Sequence, residues 1–135
     1  MFVQDLSDTL ERVLIEHSST GLGFPGFLPQ HRFLRVIRNA VNYILDLNSE
    51  HYETLYSMMP EKQRSVFLAI AAERRVKEIS GGRFVQKYRL PSVSSVVSAV
   101  KGLMEKDFVT KDQEAYYVYD HFFQLWLERQ MYVPE

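Results

Sequence analysis

The chain has no cysteine among its 135 residues. That excludes disulfide cross-links and zinc sites built on thiolates, and it removes the usual mark of a secreted, oxidising compartment. It has no long apolar stretch either. The longest strongly apolar run, residues 66–72, is far too short to cross a bilayer. The start of the chain, with Phe2, Val3 and acidic Asp5, lacks the basic opening and apolar core of a signal peptide. These absences predict a cytoplasmic protein with no membrane partner. No Gly-x₄-Gly-Lys-Ser/Thr segment occurs, so the chain by itself has no phosphate-cradling loop for nucleotide hydrolysis. The four histidines, at 17, 31, 51 and 121, fall at no metal-ligand spacing, and no metal is expected. Serines abound between 92 and 98, but none has a sequence-visible base to activate it. An enzyme is therefore not the expected reading.

What is present suits a folded domain. Hydrophobic residues make up 46% and charged residues 24%, and nine Phe, eight Tyr and one Trp supply bulk for a core. The net charge of −1 conceals a division along the chain. Residues 60–111 hold eleven Lys/Arg against five Asp/Glu, a net of +6, while residues 1–59 carry −3 and residues 112–135 carry −4. A basic middle between acidic ends fits a polyanionic partner, an electrostatic match between domains, or an ordinary mixed surface.

Hydrophobic periodicity predicts a helix over residues 2–16. A Gly- and Pro-rich break at 18–30 reads as a connecting loop. A second helix is expected over 31–47, ended or bent at Asn48-Ser49, with a short helix at 50–58 after it. Pro60 reads as the first position of a helix reaching about residue 74. Gly81-Gly82 then opens a helical segment bearing Phe84, Val85 and Tyr88. Leu90-Pro91-Ser92 reads as a turn in which Ser92 caps a helix over 93–106. The stripe of that helix is Val93, Val96, Val97, Val100, Leu103 and Met104, with Ser94, Ser95, Ser98, Lys101, Gly102 and Glu105 opposite. Residues 108–110 and 115–119, joined by a tip at 111–114, read as a β-hairpin. Asp120 would cap a last helix carrying Phe122, Phe123, Trp126 and Leu127. The hairpin-side aromatics Tyr116, Tyr117, Tyr119, Phe122, Phe123 and Trp126 are expected mostly in the core. The predicted fold is mostly α: a helical segment at 1–58, a winged helix-turn-helix with a small β-hairpin wing at 59–131, and a tail at 132–135.

Three segments carry a resemblance: PEKQRSVFLAIA at 60–71, FVQKYRLPSVSSVVSAVKGLMEKDFV at 84–109, and YYVYDHFFQLWLER at 116–129. Together they resemble the C-terminal winged-helix region of prokaryotic AAA+/STAND-like P-loop ATPases of the archaeal-ATPase type, over about half the chain. The opening Phe2-Val3-Gln4-Asp5-Leu6 is similar to the lid helix of such proteins. The resemblance implies a non-catalytic lid and winged-helix module acting in interdomain regulation and partner binding. Its first partner would be its own ATPase domain or another protein. ATP and Mg²⁺ are expected only in a full-length parent, whose P-loop half would precede Met1, and no cofactor is expected in this chain.

The alternative is a stand-alone winged-helix regulator binding duplex DNA. The second helix of a helix-turn-helix reads base edges from its exposed face. Here that face offers Ser94, Ser95, Ser98 and Lys101, while Arg83, Lys87, Arg89 and the wing's Lys111 could meet phosphates. Serine discriminates weakly among bases, and no Arg, Asn or Gln stands on that face. The acidic, glycine-free hairpin tip also weighs against a wing that grips DNA.

Overall fold

A computed structural model describes residues 30–131. The helix expected at 2–16, most of the 18–30 loop and the tail at 132–135 lie outside the described residues. The chain divides into two compact units, Met1–Asn48 and Ser49–Glu135.

The first described element, helix α1, runs unbroken over Gln30–Met58. This corrects the expectation of two helices parted at Asn48-Ser49. Instead of capping, Asn48 turns its side-chain amide back onto the Ile44 carbonyl, 2.8 Å away and one turn earlier. Thr54 and Ser57 do the same toward Glu50 and Glu53. Polar residues that would compete with the backbone elsewhere are here absorbed by the helix.

Helix α2 follows at Glu61–Glu73. Pro60 stands one position earlier than expected, as the N-cap, because its own carbonyl accepts the first helical bond, from Arg64 N at 2.9 Å. The helix ends where Arg74 adopts φ 68°. Helix α3, Gly82–Lys87, is a short segment. The turn after it passes through Arg89 at φ 52° into Leu90-Pro91. Ser92 then caps helix α4, Val93–Glu105, accepting from Ser95 N at 3.1 Å. The pair β1 (Val109–Asp112) and β2 (Ala115–Val118) is antiparallel, with Val109 opposite Val118 and Asp112 opposite Ala115. The last helix, α5, spans His121–Met131. Asp120 caps it through Oδ1, which accepts from Phe122 N at 2.9 Å and Phe123 N at 3.3 Å.

One strand segment escaped the sequence pattern. Val76 pairs with Tyr116 through two backbone bonds of 2.9 and 2.8 Å, adding a third, one-residue rung to the hairpin. The resulting order is α2, rung, α3, α4, hairpin, α5, which is a winged helix-turn-helix. The fold is mostly α with a small β wing, as the periodicities predict.

The core of the second unit forms where α2 and α4 cross. Phe67, Ile70, Val96, Val100 and Leu103 are fully buried. Gly102 leaves room for the Gln63 side chain, whose amide nitrogen would stand 2.5 Å from a Cβ built there. The buried stripe of α4 is Val96, Ala99, Val100 and Leu103. Val93, Val97 and Met104, expected in the core, are instead exposed. The stripe is centred one flank further round, with small Ala99 among its buried residues.

The aromatic cluster also differs from expectation. Phe123 is its hub, stacked on Tyr52 at 4.7 Å and edge-on to Phe67 at 5.1 Å and Trp126 at 5.9 Å. Tyr116, Tyr117 and Phe122 are half-buried and Tyr119 is exposed.

Candidate functional site

The candidate site is the helix-turn-helix, α3–turn–α4, with the surfaces on either side of it. Capping by Ser92 and burial of the Val96–Leu103 stripe fix the orientation of α4. Ser94, Val97, Ser98, Lys101, Met104 and Glu105 are thereby left exposed. At 100° per residue these side chains cover about a third of the helix circumference. Val93, Val97 and Met104 lie along one border of that face, Lys101 beside them, and the serines toward the other border.

Along the serine border, α4 and the start of α2 form a shallow polar groove lined by Lys62, Gln63, Ser94, Ser95 and Ser98. Ser95 is held by its place in the cap, at 3.0 Å from Ser92 Oγ, and Ser94 Oγ lies 3.2 Å from the same atom. These hydroxyls thus already share hydrogen bonds with one another. Ser98 faces the groove without such a constraint.

A second groove lies where the end of α2, the Val76 rung and α3 meet. It brings together Arg75, Lys77, Arg83 and Lys87, with Glu73 and Glu78 among them. Of the four cations, Lys87 is paired with Glu73, which also accepts a bond from the Tyr88 hydroxyl at 2.5 Å. The Lys87 ammonium and the Tyr88 hydroxyl together hold the Glu73 carboxyl below its ordinary range, while Glu73 raises Lys87 in turn. Burial, followed by the bond to Glu73, raises the Tyr88 phenol. Arg75 stacks on Tyr117, 4.7 Å from the ring centroid, and donates to the Asp112 carbonyl at 3.2 Å. Arg75, Lys77 and Arg83 meet no carboxylate at ion-pair distance among the described residues.

The structure thus gathers Ser94, Ser95 and Ser98 in one groove, and Arg83 and Lys87 in the other. Arg89 and Lys101 are exposed outside both, and Lys111 lies over the Tyr116 ring on the wing at 5.2 Å. Sequence reasoning missed Arg75 and Lys77, because the rung that orients them is a single residue. Lys62 was missed because its proximity to the serines depends on the α2–α4 crossing. The wing tip is Gln113-Glu114, flanked by exposed Lys111 and Asp112. Among the described residues there is no cluster of His, Asp or Glu able to hold a metal, and no helix long and apolar enough to cross a membrane.

A family model described as a probable winged helix domain matches residues 50–129. The chain belongs to that winged-helix family. No curated protein and no solved structure matches the chain. The matched span covers the last turns of α1 through all but the end of α5, so both grooves and the exposed face of α4 lie within the family's domain.

Proposed function

We propose that the chain is a non-catalytic winged-helix module that works by docking a protein partner on the exposed face of its helix-turn-helix. The observation that carries this reading is the composition of α4's outer face. Three of its exposed residues are Val93, Val97 and Met104, the rest include Ser94, Ser98 and Glu105, and Lys101 is the one cation. Base recognition in a major groove calls for bidentate donors such as Arg, Asn or Gln, and the face has none. Branched and thioether side chains beside hydroxyls suit a protein surface better. The acidic wing tip points the same way, since it would repel the phosphates that a wing ordinarily straddles. Together with the resemblance of 60–71, 84–109 and 116–129 to the end of P-loop ATPases, this favours a regulatory module. Its partner would be an ATPase domain of the same polypeptide, and it would transmit nucleotide state to a further partner.

A second reading, sequence-independent binding of duplex DNA, is favoured by Arg75, Lys77 and Arg83, three cations on one groove that meet no carboxylate at ion-pair distance among the described residues. Fluorescence anisotropy with a mixed-sequence duplex separates the two. Three phosphate contacts would give an affinity that falls with salt at a log–log slope of roughly −2.7 between about 50 and 200 mM. Binding with that slope, weakened by Arg83→Ala, would replace the protein reading with the DNA reading. Absence of duplex binding at low salt supports the protein reading. Peptide mapping of the native polypeptide then tests the ATPase assignment, which requires upstream peptides containing a Gly-x₄-Gly-Lys-Ser/Thr segment.

A further inference from the structure

Three of the exposed large hydrophobic side chains in the first two thirds of α1 stand in one line. Val36, Tyr43 and Leu47 are 59%, 64% and 66% exposed, and Ala40 between them is exposed as well. The spacing of four, three and four residues keeps all four within about 60° of arc at 100° per residue. This is the spacing of the a/d positions of a short coiled coil. Residues on another face of the same helix, Leu34, Ile37 and Val41, are half-buried, and Leu45 is buried. The seam is thus a second apolar face, distinct from the half-buried one.

The charges along α1 indicate what covers that seam. Arg32 and Arg35 stand in its first two turns on one flank of the seam, and Asp46, Glu50 and Glu53 follow further along the same flank. The first turn holds no acid and the last turn no base. This polarity opposes the helix macrodipole, which favours acids at the N-terminus and bases at the C-terminus. An antiparallel neighbour of the same sequence reverses that penalty. It sets each arginine-rich end beside the other's acidic end, and it opposes the two dipoles. A parallel copy would set arginine against arginine.

We infer that α1 is a homodimerisation helix, pairing antiparallel with a second copy of this chain through Val36, Ala40, Tyr43 and Leu47. The two-fold arrangement places Val36 against the partner's Leu47, and Ala40 against the partner's Tyr43, small against large. A closed two-fold contact of this kind is self-limiting at two chains. The inference does not depend on what the helix-turn-helix binds. A seam of two heptads is small, so the dimer belongs to the weak class, with dissociation on the order of micromolar.

Sedimentation velocity on the full chain from about 1 to 100 µM should show a concentration-dependent passage from monomer to dimer. Leu47→Glu, at an exposed position, should move the midpoint at least tenfold upward while leaving the circular dichroism melt unchanged. Orientation can be read by cross-linking, since the chain has no cysteine of its own. When Val36→Cys and Leu47→Cys proteins are mixed and oxidised, the mixed 36–47 disulfide should predominate over both like pairs. A monomer at all concentrations overturns the proposal. So does a dimer indifferent to Leu47→Glu, or predominance of 36–36 and 47–47 bridges.

Discussion

Asp120 serves two partners with its two oxygens. Oδ1 caps α5 through the Phe122 and Phe123 amides, and Oδ2 accepts the Tyr52 hydroxyl at 3.2 Å. Tyr52 is buried, and that burial, reinforced by the neighbouring carboxylate, pushes its phenol far above the ordinary tyrosine range. Asp120→Ala should therefore cost about 2 kcal/mol, cap and tyrosine bond together, and Tyr52→Phe about 1 kcal/mol. Chemical denaturation of the two single variants and the double variant closes a cycle, in which the double should cost less than the sum of the singles. Glu73 offers a test on the acid side. Its folded carboxyl is held low by Lys87 and Tyr88, so the stability it contributes is present above the ordinary carboxylate range and is lost as pH falls through the folded value. Melting temperature followed from neutral pH downward should thus decline less steeply in Glu73→Gln than in the parent. The pair is largely solvent-exposed, which keeps the difference small.

At the scale of elements, the wing shows both what the sequence discloses and what it hides. Alternation located the two strands, yet the tip at 111–114 reads as four residues, whereas the turn itself is only two. Gln113 and Glu114, at φ 49° and 66°, form a two-residue connection with both central residues left-handed, the geometry that favours Asn-Gly. Neither residue adopts that conformation cheaply. Replacing the pair by Asn-Gly should raise stability by about 1 kcal/mol, read as a higher denaturation midpoint with an unchanged slope. Capping was legible because Ser92 and Asp120 act within three residues of themselves. The continuity of α1 was not, because Asn48-Ser49 looks like a stop until Asn48 bonds back to Ile44 and Ser49 accepts the Trp126 indole N–H at 3.0 Å. In the candidate site, the serines of α4 were legible from helical spacing. The capture of Lys87 by Glu73 was not, since the partners lie fourteen residues apart on different helices. The exposure of Val93 and Val97 was hidden for a related reason. Period alone cannot say which border of a wide apolar arc meets a neighbour, and in the fold the border with Ala99 is the buried one.

For the whole molecule, the division at residue 48 can be tested by cutting there. Every buried hydrophobic side chain among the described residues except Leu45 belongs to Ser49–Glu135, from Tyr52 and Met59 through Leu127. So do the hairpin, its Val76 rung and the matched winged-helix span. A fragment beginning at Ser49 keeps the Trp126–Ser49 and Tyr52–Asp120 bonds that tie the last turns of α1 to α5. It loses the Val36–Leu47 seam. The fragment should therefore melt in a single cooperative transition, with near-ultraviolet dichroism from Trp126 disappearing together with the helical signal. It should also sediment as a monomer at concentrations where the full chain pairs, and any ligand of the helix-turn-helix should bind it as tightly as it binds the parent. A broad, non-coincident melt would mean that residues before 49 complete the winged-helix core. A monomeric but cooperatively folded fragment would separate recognition from pairing: the winged helix recognises, and α1 joins two copies.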